Sequence, residues 1–124
     1  MAAPRDDTAQ QLARGVGRLL GHLGYDSLTE FTLRSGRRAD LAGIDRKGRI
    51  AIVEIKSSVA DFRADQKWPE YLDYCDLFYF AVPVDFPVEI LPDEPGLILA
   101  DAYSGDIARP APDNPTPLHA SRRR

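Results

Sequence analysis

The sequence predicts an α/β fold with a mixed central sheet flanked by helices, on three observations. Residues 49–56 are β-branched and apolar until their end, a glycine-ended turn pairs them with the preceding segment, and a helical repeat of leucines comes before both. A chain of 124 residues is one domain with a real core. That domain is expected at 1–109, with a disordered tail at 110–124, where prolines and small polar residues give way to Arg122-Arg123-Arg124.

The first helix is expected over residues 7–23, capped by Asp6 or Asp7. Leu12, Val16, Leu19, Leu20 and Leu23 recur at its period. Gly15, Gly17 and Gly21 lower its propensity but permit close packing on a sheet, and Gly24 is a natural stop. Residues 27–33 alternate with period two and predict a strand; Ser35-Gly36 then turns the chain. In the hairpin that follows, Arg46-Lys47-Gly48 is a three-residue loop whose glycine sits at the left-handed position. That register opposes Ile44 to Ile50, Ala42 to Ile52 and Asp40 to Glu54. Directly opposed residues share a face. Ile44, Ile50, Ala42 and Ile52 thus form an apolar face ending in Asp40, Glu54 and Lys56. Leu41, Ala51, Val53 and Ile55 make the other face apolar too, so both sides are expected to be covered by helices.

Ser57 and Ser58 can cap a short helix running to Asp65, and Pro69 suits the start of a further helical turn near Trp68. Residues 77–82 form a strong buried strand stopped by Pro83. A loop rich in proline and acids leads to two short strands at 96–101 and 105–108. There is no internal repeat.

Two carboxylates facing each other at about 5 Å repel unless a positive charge intervenes. Lys56 can neutralise one, and a divalent cation suits the remainder: hard oxygen ligands with water favour Mg²⁺ or Mn²⁺. Such an ion polarises a phosphate and lowers the pKa of a water, which a partly desolvated Lys56 can orient or deprotonate. The same triad also serves as a structural ion cluster at a strand end, and spacing alone does not separate the two.

Asp40 followed by Glu54-x-Lys56 across a hairpin resembles the signature of the PD-(D/E)XK nuclease superfamily. The wider run is Arg37-Arg38-Ala39-Asp40, Glu54-Ile55-Lys56-Ser57-Ser58, Asp61-Phe62-Arg63-Ala64-Asp65 and Lys67-Trp68-Pro69. Together with Tyr74-Cys75-Asp76 and Phe80-Ala81-Val82-Pro83, it resembles the MmcB-type family of bacterial DNA-repair proteins, from about residue 8 to 109. The resemblance implies a restriction-endonuclease-like αβββαβ core and a DNA-repair protein with metal-dependent phosphodiester hydrolysis, a deoxyribonuclease using Mg²⁺ or Mn²⁺. Asp40 and Glu54 would be metal ligands and Lys56 the catalytic lysine. The alternative is a catalytically inactive DNA-binding or partner-binding module that keeps the fold. DNA is the implied partner, with a homodimer or other repair proteins as further partners. Two departures stand out. Ala39 replaces the proline before Asp40, and the first helix offers Gln10 and Gln11 where many members carry a metal-binding glutamate. Glu30, on the first strand, is either a substitute ligand or a surface strand glutamate.

Net charge is −3, but its distribution is uneven. Residues 34–67 hold nine basic against five acidic side chains, and residues 68–109 hold one basic against nine acidic. A basic field around the site attracts phosphates. Arg37, Arg38, Gln66, Lys67 and Trp68 are the candidate DNA contacts. Trp68 either stacks on an exposed base or anchors the core beside Tyr71 and Tyr74. No apolar run approaches a membrane span and the start lacks a signal-peptide core, so the expected location is cytoplasmic. One cysteine, Cys75, excludes an internal disulfide and reads as a core thiol. His22 and His119 have no metal-ligating neighbour in the sequence.

Overall fold

Gly48 sets the register of the central hairpin. It takes φ +80°, and its N–H donates to the Asp45 carbonyl (3.0 Å) while the Asp45 N–H donates to Arg49 (3.1 Å). The Asp45 carboxylate accepts from the Lys47 and Arg49 amides and pairs with the Arg49 guanidinium at 2.9 Å. Ile44 consequently opposes Ile50 and Ala42 opposes Ile52, as the loop length requires.

The computed structural model describes residues 5–113. Its elements are α1 (Arg5–His22), β1 (Asp26–Thr32), β2 (Arg38–Ile44), β3 (Ile50–Ile55), α2 (Val59–Ala64), β4 (Leu77–Pro83), β5 (Gly96–Ala100) and β6 (Gly105–Arg109). Short 3-10 helices occupy Trp68–Tyr74 and Val88–Ile90. The strands form one sheet in sequence order, parallel between β3 and β4 and between β4 and β5, antiparallel elsewhere. This is the expected α/β architecture: an αβββαβ core within a mixed sheet, extended by β5 and β6. The β3–β4 crossover is α2 plus the first 3-10 helix, as parallel neighbours require.

Each face of the sheet has its own core. Leu12, Val16 and Leu20 of α1 pack on Leu41, Ala51, Val53, Tyr79 and Ile98. On the other side Phe62, Tyr71 and Cys75 pack on Ile52, Phe78, Phe80 and Leu97. Burial pushes the Cys75 thiol up to about 12, so it stays protonated. Helix α1 closes at Gly24 (φ +91°), with Tyr25 N–H bonded to Leu20 and Gly24 N–H to Gly21 in a Schellman pattern. Ser58 caps α2 by accepting from the Asp61 amide at 3.1 Å.

Several boundaries and exposures differ from expectation. Helix α1 begins at Arg5, ahead of the aspartates, and a 3-10 turn interrupts the acidic loop at Val88–Ile90. The second face of the hairpin is covered only in part. Ile44 is 48% exposed, whereas the 3-10 helix covers β2 at its Arg38–Ala39 end. Leu28, Phe31, Ile44 and Ile50 line an open apolar groove over β1–β3. Residues 110–113 are irregular, with Ala111 packed on the cluster under α1. Residues 1–4 and 114–124, including His119 and the final arginines, lie outside the described residues.

Of the three helix glycines, only Gly15 is a packing requirement. A Cβ there would overlap the Asp101 carbonyl and crowd that of Ser104, whereas nothing lies near Gly17. Gly15→Ala should lower Tm by roughly 5 °C or more, the cost of forcing backbone apart. Gly17→Ala should leave Tm unchanged or raise it, gaining up to about 1 kcal/mol of helix propensity. Thermal unfolding followed by circular dichroism checks both.

Candidate active site

The β2–β3 ladder ends at the pair Leu41 and Val53. Beyond it, side chains replace main-chain partners. The Asp40 amide donates to Glu54 Oε1 (3.1 Å), and the Ile55 amide donates to Asp40 Oδ2 (2.7 Å). These reciprocal bonds satisfy backbone donors that the splayed strands would leave buried and unpaired. They also fix both carboxylates.

On the opposite flank of β2, Glu30 stands across from Asp40, between the pairs Thr29–Leu41 and Phe31–Ala39. Its φ of +53° lies in the left-handed region, which a glutamate seldom adopts. The sheet changes sidedness at this level. Leu41 packs beneath α1, yet Ala39, two residues away, packs in the aromatic core on the other face. Asp40 and Glu30 both line a cavity of about 400 Å³ between α1 and the sheet.

Glu54 is 6% exposed and Lys56 5%. Lys56 continues the parallel ladder through its amide to Ala81 (2.9 Å), and its Nζ donates to the Asp65 carbonyl at 3.4 Å. Burial pushes the Glu54 carboxyl up to about 7, with the charge of Asp40 adding to it. Asp40 is also raised, by burial, against the pull of the Ile55 amide, Lys56 and Arg38. Both carboxyls therefore hold protons more tightly than ordinary carboxylates, a state relieved by a nearby cation.

A tyrosine not singled out from the sequence as a site residue completes the arrangement. Tyr71 Oη donates to the Arg38 carbonyl (3.1 Å), and the hydroxyl lies near enough to Glu54 for each to shift the other's ionisation. Burial, then the Glu54 charge, pushes the Tyr71 hydroxyl up to about 12, so it remains a donor. A buried tyrosine needs a partner for its hydroxyl; position 71 gives no periodic signal of which partner that is.

The candidate DNA contacts fall into different environments. Arg38 is exposed, and its charge reaches Asp40. Arg37 is tied by Asp65 (3.6 Å) and Glu70 (3.2 Å) and lies over the Tyr71 ring. Gln66 and Lys67 are exposed on the link after α2. Trp68 is partly buried, stacked on Phe78 at 5.7 Å and edge-on to Phe80. Arg46, Lys47 and Arg49 sit at the hairpin's far end, five residues or about 17 Å from Glu54. The basic stretch of sequence is thus divided between two ends of the sheet. Among the described residues, no group of three or more His, Cys, Asp or Glu is placed to hold a metal. Asp40 and Glu54 form a pair of hard oxygen donors, which suits Mg²⁺ or Mn²⁺ with water completing the shell.

A family model for DNA repair protein MmcB-like matches residues 2–124. The chain belongs to this MmcB-like family of DNA-repair proteins. No curated protein matches it. Among solved structures, the MmcB-like chain is similar to a protein of unknown function from Silicibacter pomeroyi. The two share 47% identity with a TM-score of 0.88, over 94% of this chain and 78% of that one. A repair endonuclease from Pyrococcus abyssi matches at 16% identity and a TM-score of 0.43, over 66% of this chain and 40% of that one. Among the described residues of the MmcB-like chain, no helix is long and apolar enough to cross a membrane.

Glu54 has a sign consequence for stability. Its carboxyl ionises near the ordinary value when unfolded and near 7 when folded. Between those values the folded state holds the extra proton, so stability falls as pH rises and levels off above about 7. Asp40 acts in the same direction. Without divalent metal, the wild type should lose up to about 3 kcal/mol between pH 4.5 and 7.5. Glu54→Gln should flatten most of that decline, as read from urea unfolding across the range.

Proposed function

We propose that this chain is a DNA-repair nuclease that hydrolyses phosphodiester bonds at Asp40, Glu54 and Lys56. The observation that carries the reading is the pair of cross-strand bonds, Asp40 amide to Glu54 and Ile55 amide to Asp40, beside a buried Lys56. An isolated ion cluster would be served better by apolar residues of the same size. Two proton-hungry carboxylates and an amine at one strand end serve a reaction.

Asp40 and Glu54 would hold Mg²⁺ or Mn²⁺ as a pair, with water completing the shell; Glu30 makes no third ligand with them. When bound, the cation supplies charge for the phosphate and a lowered pKa for the attacking water. Lys56 orients that water and counters the negative charge developing on phosphorus oxygens. Tyr71 holds Glu54 in place, and Arg38 and Lys67 grip the DNA backbone on either side. Arg37 anchors the Tyr71 and Glu70 side of the site through its ion pairs, a positioning role. Trp68 supports the same region by packing on Phe78.

With Mg²⁺ or Mn²⁺, the protein should nick supercoiled DNA or cut branched or single-stranded DNA. Glu54→Ala and Lys56→Ala should each reduce the rate by about 100-fold or more. Circular dichroism should show both variants folded. DNA bound but uncut under every metal condition would instead identify a binding module that keeps the nuclease fold.

A further inference from the structure

The cavity under α1 is a consequence of side-chain size. Along the sheet-facing stripe of α1, Leu12, Val16 and Leu20 fill the core. Ala9 and Ala13, one turn apart on a neighbouring stripe, leave a wedge of about 400 Å³ at the site end. Its remaining walls combine an apolar floor at Ile55 with Thr29, the carboxylates of Glu30 and Asp40, and two donor-bearing groups of α1. Gln10 presents an amide that both donates and accepts, and Arg14, four residues on, presents a guanidinium on the same helix flank. Asp40 lies in the wall, so whatever occupies the wedge lies beside one of the two proposed catalytic carboxylates.

We infer that this wedge receives one unpaired nucleotide of a DNA strand, next to the phosphodiester to be cut. The inference rests on the nuclease reading and gives it a substrate class. The volume suits a single nucleotide, and a base held in a duplex stack has no way into it. Ala9, Ala13 and Ile55 supply apolar surface for a base face, while the Gln10 amide matches the donor and acceptor pattern of a base edge. Arg14 supplies a fork of donors for an adjoining phosphate. A pocket for phosphate alone has no use for the alanine floor. The enzyme therefore works on strand ends, flaps or gaps in preference to intact duplex.

The test is fluorescence anisotropy of the whole protein with a labelled oligothymidylate of about 12 nucleotides, against a blunt duplex of the same length. Measurements are made both in EDTA and in Ca²⁺. Arg14→Gln, on α1, and Thr29→Trp, which fills the wedge from β1, should each weaken single-strand binding about tenfold. Thr29→Val should bind like wild type, and blunt duplex binding should change less than about twofold in all three. Variants that keep wild-type single-strand affinity, or that lose single-strand and duplex affinity equally, would overturn the inference. Loss of the cleavage reading looks different: no cutting and no effect of Ca²⁺, with the strand preference and its dependence on Arg14 and Thr29 intact.

Discussion

Two hydrogen bonds, Ile55 N–H to Asp40 and Asp40 N–H to Glu54, carry the organisation of this domain. A hairpin whose strands part must find partners for amides that no longer meet carbonyls. Here the partners are carboxylates. They bridge the strands where the ladder stops, at the level where Ala39 passes into the opposite core. The same bonds leave negative charge in a poorly hydrated place, and Lys56 answers only part of it. Burial then raises both carboxyls, with the charge of Asp40 adding at Glu54 and that of Glu30 at Asp40, so the site favours a proton or a cation. Fold and chemistry depend on one local feature.

The two cores support that feature unequally. Beneath α1 the packing is aliphatic and tight enough that Gly15 meets the β5–β6 turn directly. On the other face an aromatic cluster of Phe62, Trp68, Phe78 and Phe80 holds the crossover connection against β4. Tyr71 belongs to that cluster and reaches Glu54, so aromatic packing positions a carboxylate. Arg37, paired to Asp65 and Glu70, ties the loop before β2 to the same connection.

Much of this is legible in the sequence, for reasons that differ by residue. The hairpin register follows from loop length and Gly48 alone as far as Leu41 and Val53; that the strands part there, leaving side chains to bridge Asp40 and Glu54, does not follow. The helix stop at Gly24 and the cap at Ser58 are equally local. Other features are not local. Glu30 adopts a left-handed backbone that nothing in its residue type requires, and the sidedness change that accompanies it is invisible to a period-two pattern. Ile44 reads as core because its strand is apolar; its exposure depends on which end of β2 the 3-10 helix covers. The basic stretch looks like one patch because sequence ignores that a hairpin separates its tip from its open end. Arg14 and Tyr71 join the site only through packing across the chain.

We propose that Asp40 and Glu54 together hold a cation in this member of the MmcB-like DNA-repair family. Calorimetric titration with Mn²⁺ at about pH 7 tests it most directly. Because Glu54 is partly protonated there, binding should release protons, seen as a heat that varies with the ionisation enthalpy of the buffer. Glu54→Gln and Asp40→Asn should each abolish that signal while remaining folded. Absence of Mn²⁺ binding by the wild type, or equal binding by both variants, would contradict the account.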